Sequence, residues 1–79
     1  MKTDSLIIGI KILDKYRVYP GGYNVSAEHD IIYLYATDRP LSSSDIALMI
    51  YNDWIQETDN YEEFTIADYN MEDPWVGYI

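Results

Sequence analysis

Composition and charge exclude several classes of protein for this chain of 79 residues, which is predicted to form a single domain over residues 1–79. The sequence has no cysteine, so disulfides and thiolate metal sites are excluded and a cytoplasmic location is expected. Apolar residues make up 48% of the chain, which argues against disorder despite a net charge of −9.

The first predicted element is a helix in the segment TDSLIIGIKILDKY. Leu6, Ile10 and Leu13 have the i, i+4, i+7 spacing of one helix face, and Ile12 and Tyr16 widen this expected buried stripe. The apolar stretch is too short to span a membrane, and charged residues interrupt it, so it is predicted to belong to the fold. The segment YPGGYN, residues 19–24, is expected to form a turn because proline stops a helix and paired glycines favour turns.

A strand is predicted in DIIYLYAT, residues 30–37, which is rich in β-branched and aromatic residues. Alternation places Ile31, Tyr33 and Tyr35 on one face and Ile32, Leu34 and Ala36 on the other. Both faces are apolar, so this strand is expected at the centre of the sheet.

A second helix is predicted from about Ser43 to Asn52, preceded by serines that can cap it. Ser42 or Ser43 is expected to accept a hydrogen bond from a free amide at the helix start, where Asp45 is also favourable. The predicted buried stripe of this helix consists of Ile46, Met49 and Ile50.

The last quarter of the chain is predicted as strand, turn and strand. FTIADY (64–69) alternates, NMEDP (70–74) is typical of a turn, and WVGYI (75–79) is predicted as the closing strand. Alternatively, a strand begins at Trp54 and Ile55, directly after the second helix. The predicted class is α+β, in the order α-β-α-β-β, with two helices packed on a small, mostly antiparallel sheet.

The predicted core lies between the sheet and the two helices, which are expected on one face. Its predicted members are Ile10, Leu13, Ile32, Leu34, Ile46, Met49, Ile50 and Trp75. The bulky rings of Trp54 and Phe64 are also expected to pack in the core.

Charge is distributed very unevenly along the chain. Residues 1–39 carry equal numbers of acidic and basic side chains, whereas no Lys or Arg follows Arg39. The second half holds the acids Asp45, Asp53, Glu57, Asp59, Glu62, Glu63, Asp68, Glu72 and Asp73. Such a field repels nucleic acid and anionic membranes, and it attracts cations and proteins with basic surfaces.

No residue pattern specifies catalysis or a bound cofactor. His29, between Glu28 and Asp30, could act as a base or a metal ligand, but a lone histidine before a strand is more often structural or exposed. The acids at 57–63 lack the central glycine and the ligand spacing of a calcium loop. We therefore predict no enzyme activity, no cofactor and no dedicated metal site.

The acidic half also carries aromatic rings, a combination typical of protein-binding surfaces. Tyr61 and Tyr69 lie beside acids and are predicted to be surface rings. Plain solubility is the alternative reason for the acidity. The predicted partner-binding residues are Asp53, Glu57, Asp59, Tyr61, Glu62, Glu63, Asp68, Tyr69, Glu72 and Asp73.

The succession GIKILDKY, AEHDIIYL, PLSSSDIALM, DW and a final tryptophan-containing strand resembles a class of short, acidic, uncharacterised bacteriophage proteins. The resemblance covers roughly two thirds of the chain, and residues 56–74 are longer than that pattern expects. No catalytic residues come with it. It brings into consideration the small acidic phage proteins that block host defence enzymes, among them anti-CRISPRs and DNA mimics.

Two hypotheses about function remain open at this stage. The first is an inhibitor in the host cytoplasm that occupies a basic nucleic-acid-binding surface of a host defence protein through residues 45–73, without binding nucleic acid or membrane itself. The second is a structural or regulatory interaction module, as a monomer or homodimer, whose acidity serves only solubility. Carboxylates gathered on one face would favour the first hypothesis, and scattered carboxylates the second.

Overall fold

A computed structural model describes residues 1–16, 25–35, 37–57 and 64–79 of the chain. In these ranges the elements follow the order α1 (Thr3–Asp14), β1 (Val25–Glu28), β2 (Ile31–Leu34), α2 (Ser43–Tyr51), β3 (Ile55–Gln56), a 3₁₀ helix (Ile66–Asp68) and β4 (Trp75–Tyr78). The predicted α+β class and both predicted helices are confirmed. The predicted turn at residues 19–24 and the predicted strand residue Ala36 lie outside the described residues.

The four strands form one antiparallel sheet in the order β1-β2-β4-β3. Strands β1 and β2 form a hairpin, because Glu28 pairs with Ile31 and only His29 and Asp30 lie between them. His29 has a φ of 56°, which a tight two-residue turn often requires. Strand β2 lies between β1 and β4, so its predicted central position is confirmed.

The predicted strand at 64–69 is wrong, and the alternative strand after the second helix is confirmed as β3. Thr65 and Asp68 explain the difference. The Asp68 carboxylate accepts hydrogen bonds from the Thr65 amide at 2.9 Å and from its hydroxyl at 3.1 Å, which forms a capping box around the 3₁₀ helix. These local bonds satisfy the backbone without a strand partner. Strand β1 was not predicted: it is only four residues long, mostly exposed, and its apolar face consists of Val25 and Ala27 alone.

One face of the sheet carries the core. Leu34 is paired with Trp75, and Ile32 with Gly77, so these four residues share a face. Both helices contribute to the cluster on this face, which contains Ile12, Leu13, Tyr16, Leu34, Leu41, Ile46, Met49, Trp54, Phe64 and Trp75. The prediction that both helices lie on one face agrees with this cluster.

The predicted core is confirmed at most positions. Leu13, Leu34, Ile46, Met49 and Trp75 are buried, as are the predicted rings of Trp54 and Phe64. Ile32 and Ile50 are half-buried and pack against the cluster.

Ile10 was predicted to be buried, but 40% of its surface is exposed. The buried side of α1 instead carries Ser5 and Gly9 in addition to Ile12 and Leu13. A Cβ atom placed on Gly9 would lie 2.7 Å from Cζ2 of Trp54, so the indole ring occupies the space beside this glycine. Small residues therefore face the core because a large ring lies against the helix.

The end of α2 directs Trp54 into that space. The Asp53 amide donates to the Ile50 carbonyl and the Trp54 amide to the Met49 carbonyl, both at 3.0 Å. Asp53 has a φ of 68°, in the left-handed region that helices commonly use to terminate. Chain reversal at Asp53 brings the Trp54 indole N–H to 2.9 Å from the Ser5 carbonyl of α1.

The start of α2 is fixed by a polar cluster around Asp45. Ser42 caps the helix, as predicted, by accepting from the Asp45 amide at 3.2 Å. The buried Asp45 carboxylate accepts a hydrogen bond from the Tyr16 hydroxyl. It also forms an ion pair with the Lys15 ammonium, with the nitrogen 3.0 Å from a carboxylate oxygen. The Tyr16 hydrogen bond, followed by the Lys15 interaction, lowers the pKa of Asp45 although burial opposes this shift.

Because the pKa of Asp45 is lowered in the folded state, its ionised carboxylate stabilises the fold, and protonation at low pH removes this stabilisation. The carboxylate stabilises the fold above its unfolded pKa, and this contribution is lost as the pH falls through the lower folded pKa. We expect Asp45→Asn to lower the free energy of unfolding at pH 7 by about 1 to 2 kcal/mol. The deficit relative to the native chain should shrink below about pH 4. Urea titrations across this pH range measure it.

Lys15→Met is the matched control for this prediction. The Lys15 side chain is 58% exposed, so its ion pair is screened by solvent and its loss should cost well under about 1 kcal/mol. A deficit for Asp45→Asn that stays constant between pH 7 and pH 2 would contradict the role assigned to the ionised carboxylate.

Candidate functional site

The second face of the sheet carries tyrosines instead of core residues. Its side chains, which alternate with those of the core face, are Tyr33, Tyr35, Tyr78, Ile31, Ile55 and Val76, and we call this set the tyrosine face. Val76 is fully buried at its centre, in register with Tyr33 and Ile55. Tyr35 and Tyr78 are 44% and 51% exposed. In the described part of the chain, both helices lie against the opposite face.

Strand pairing arranges the three tyrosines as one group. Tyr33 is half-buried in the middle of β2, and Tyr78 is paired with Ile31, two residues before it. The Tyr35 hydroxyl lies 2.7 Å from the Ser26 hydroxyl, and Ser26 is paired with Tyr33. This hydrogen bond therefore places the Tyr35 ring on the same face as Tyr33.

Two carboxylates lie on opposite sides of Tyr33. Glu28 ends the edge strand β1 and pairs with Ile31, whereas Glu57 follows β3 at the other edge. Burial raises the pKa of the Tyr33 phenol, and the charges of Glu57 and Glu28 raise it further. Glu28 is level with Ile31 at one edge of the sheet, and Glu57 follows Gln56, which is level with Leu34, at the other edge. The two carboxylates therefore occupy diagonal corners of the tyrosine face, with Tyr33 between them.

A buried glutamine holds the acidic turn at residues 70–73. The Gln56 amide nitrogen donates to the carbonyls of Asn70 at 2.7 Å and Asp73 at 2.9 Å, and its oxygen accepts from the Asn70 amide at 2.8 Å. Gln56 is 1% exposed. Because Gln56 also pairs with Trp75, Glu57 and Asp73 lie at the same end of the β3–β4 pair, and the turn adds Glu72 there.

The other described members of the predicted binding set lie elsewhere. Asp53 is exposed after the end of α2 and precedes β3, so it lies at the opposite end of this strand from Glu57. Asp68 is bonded to Thr65 in the 3₁₀ helix. The described acids of the set therefore occupy three places instead of one face, a distribution that favours the second hypothesis, the interaction module. The predicted residues Asp59, Tyr61, Glu62 and Glu63 lie outside the described residues.

Tyr69 was predicted to be a surface ring, but it is half-buried and serves the fold. Its ring stacks on Trp75 with centroids 5.9 Å apart, and its hydroxyl accepts from the Leu41 amide at 3.0 Å. Trp75 offers apolar surface at the base of the acidic turn, and Tyr69 covers it. The acidic neighbours of Tyr69 in sequence did not predict the side to which its ring turns.

Sequence reasoning did not include Glu28, Tyr33, Tyr35 or Tyr78 in the binding set. The alternation in IIYLY already placed Tyr33 and Tyr35 together, and the same alternation in WVGY separates Tyr78 from the buried Trp75. Pairing of β2 with β4 was needed to bring these segments side by side. Glu28 joined them only because the hairpin turn lies at residues 29–30.

His29 is exposed in the hairpin turn. Among the described residues, no three His, Cys, Asp or Glu side chains form a group that could hold a metal ion. In the same ranges, no helix is both long enough and apolar enough to cross a membrane.

Comparison of the chain with protein-family models, curated proteins and solved structures finds no match. No relative therefore contributes a reaction, a ligand or a partner. Function is inferred from the charge and the geometry of the chain itself.

Proposed function

We propose that this chain is a non-enzymatic inhibitor that occupies a basic, nucleic-acid-binding surface of a host defence protein by charge mimicry. One observation carries the proposal. In the described ranges, the only ion pair to a carboxylate after Arg39 is the one between Lys15 and Asp45, whereas Asp53, Glu57 and Glu72 are exposed without a basic partner. The resemblance to short, acidic, uncharacterised bacteriophage proteins brings this class of function into consideration by analogy.

Physical chemistry explains why such a surface would compete with nucleic acid. A groove that binds phosphates presents closely spaced lysines and arginines, and it attracts any rigid array of negative charge. Because the fold already holds the backbone of these acidic residues, binding requires the ordering of their side chains but not of the chain that carries them. The attraction weakens with salt because ions screen exposed charges over about 8 Å at physiological ionic strength.

A second candidate function is a homodimeric interaction module, which two observations favour. The described acids of the predicted set occupy three places instead of one face. Strand β1 forms an edge, its residues are mostly exposed, and Val25 is 50% exposed. An unpaired strand edge can pair with the same edge of a second copy. Sedimentation of the native chain over a range of concentrations distinguishes a dimer from a monomer.

A binding titration tests the proposed inhibition. Proteins captured from host lysate are eluted by stepped salt, purified, and titrated with the native chain and with the triple variant Asp53→Asn, Glu57→Gln and Glu72→Gln. We expect the variant to bind several-fold more weakly at low salt, and duplex or guide nucleic acid to displace the native chain. The fold should be preserved, since exposed carboxylates contribute little to stability.

The matched control removes three exposed charges from the neutral half, with Asp4→Asn, Asp30→Asn and Asp38→Asn. This control should bind nearly as tightly as the native chain. Equal affinities for all three proteins at two ionic strengths, without competition by nucleic acid, would leave the acidity as a means of solubility and contradict the proposal.

A further inference from the structure

We infer that the tyrosine face is a docking surface for arginine side chains of the basic partner, with Glu28 and Glu57 receiving the guanidinium groups at its two ends. The inference rests on the proposed function, because it names the side chain by which that partner binds. It differs in location, since the tyrosine face also involves Glu28 from the neutral half of the chain.

The tyrosine face and its two ends combine aromatic rings with negative charge. Tyr35 and Tyr78 expose aromatic area on either side of the more buried Tyr33. The described basic residues lie elsewhere: Lys2, Lys11 and Lys15 belong to α1 and its caps, and Arg39 precedes α2. In the described part of the chain, the face thus combines rings and carboxylates without a positive charge of its own.

Arginine is the side chain whose chemistry complements rings and carboxylates together. An arginine side chain stacks its planar guanidinium on an aromatic ring, and the same group donates two parallel hydrogen bonds to a carboxylate. A lysine ammonium is a compact, strongly hydrated point charge. It can lie near a ring or a carboxylate, but it lacks the planar fork that stacks on a ring and donates two parallel hydrogen bonds. Rings flanked by carboxylates therefore favour arginine over lysine at equal charge.

The protein's own fold places a cation of each kind near one ring, since the Lys15 ammonium lies 5.8 Å from the centroid of the Tyr16 ring. The Arg39 guanidinium lies 5.0 Å from the centroid of the Tyr16 ring, and it also donates to the Lys15 carbonyl at 2.9 Å. The raised pKa of Tyr33 keeps its phenol neutral, so this ring adds no charge that would titrate near neutral pH.

Charge also decides against other occupants of the face. A second copy of the chain would bring Glu28 and Glu57 towards the same acids, and each copy carries a net charge of −9. Nucleic acid bases stack on tyrosines in basic grooves, whereas here the neighbours are acidic. A basic protein surface is the occupant that satisfies both the rings and the carboxylates.

Peptide binding tests the inference with defined probes. A nine-residue oligoarginine and a nine-residue oligolysine carry the same charge, and their binding to the native chain is measured by calorimetry and by NMR. We expect oligoarginine to bind about five-fold more tightly than oligolysine, with the largest amide shifts at residues 31–35 and 75–78. Tyr35→Leu with Tyr78→Leu should abolish this preference and leave the affinity for oligolysine unchanged.

Tyr51→Leu is the matched control, since Tyr51 is 85% exposed on α2, away from the sheet. It should retain the preference for arginine. Equal affinity for the two peptides, or a preference that survives loss of Tyr35 and Tyr78, overturns the inference. Concentration-dependent self-association that the tyrosine variant removes overturns it as well, because a second copy would then occupy the face.

The two proposals fail in different ways. Salt-dependent binding of both peptides without arginine preference leaves the charge-based function intact and removes the arginine site. A tyrosine-dependent preference for arginine, together with a purified partner that nucleic acid does not displace, supports the arginine site and contradicts the occupation of a nucleic-acid groove.

Discussion

Trp54→Ala is expected to unfold most of the protein at room temperature. Removing a fully buried large aromatic ring costs about 3 to 5 kcal/mol, which is comparable with the whole stability of a small domain. Trp54 is 0% exposed and lies between α1 and β4, where Gly9 and Gly77 leave room for its ring. Circular dichroism during urea and thermal unfolding measures the loss.

A substitution in α1 tests the same contact between Gly9 and Trp54 independently. Gly9→Ala places a methyl group against the indole ring, and overpacking of this kind typically costs about 1 to 3 kcal/mol. Ile10→Val, one residue further along α1, changes a side chain that is 40% exposed and should cost little. A native melting temperature for Trp54→Ala, or equal effects of the two α1 variants, would contradict the packing of Trp54 against Gly9.

This contact also shows where sequence periodicity was insufficient. Spacing of large apolar residues located α1 correctly but assigned Ile10 to the core, since periodicity counts the size and polarity of side chains. The buried side of α1 includes Ser5 and Gly9. These small residues face the core because the indole ring of Trp54 packs against the helix there. Only the tertiary contact reveals that requirement.

Helix α2 was predicted more closely because its signals are local. Ser42 caps the amide of Asp45 three residues later, and the buried residues Ile46 and Met49 follow the helical period. The segment 64–69 has equally regular alternation, yet Thr65 and Asp68 bond to each other and form a 3₁₀ helix. Alternation predicts a strand only where a neighbouring strand is available to pair with it.

The candidate site was predictable only in its charge. The sequence shows that acids dominate after Arg39, but it does not show which of them are neighbours. Pairing of β2 with β4 brings Tyr33 and Tyr78 onto one face, and pairing of β1 with β2 adds Glu28. These neighbours come from three separate segments, so no local pattern could have grouped them.

Gln56→Glu is expected to be the most damaging substitution of nearly unchanged size. The Gln56 amide nitrogen donates to two backbone carbonyls, those of Asn70 and Asp73, and a carboxylate would place a negatively charged oxygen against both. Loss of two donors in a site that is 1% exposed, together with burial of a charge, should cost at least about 3 kcal/mol at pH 7. The nearby acids Glu57, Glu72 and Asp73 add repulsion.

The cost should depend on pH, and the direction of the dependence identifies its cause. Burial and the two carbonyls raise the folded pKa of the introduced carboxyl above its unfolded value near 4.3, so the cost of burying its charge is absent below about pH 4. A smaller cost remains there, because the protonated carboxyl has one donor for the two carbonyls. The cost of the buried charge grows as the pH rises towards the folded pKa and is constant above it.

Gln56→Leu is the uncharged control: it leaves the Asn70 amide and both carbonyls unpaired at every pH, so its cost should not vary with pH. Urea unfolding of both variants between pH 4 and pH 8 measures these costs. Native stability of Gln56→Glu at pH 7 would show that the acidic turn is not anchored by Gln56, and the position of Glu72 and Asp73 beside Glu57 would then lose its structural basis.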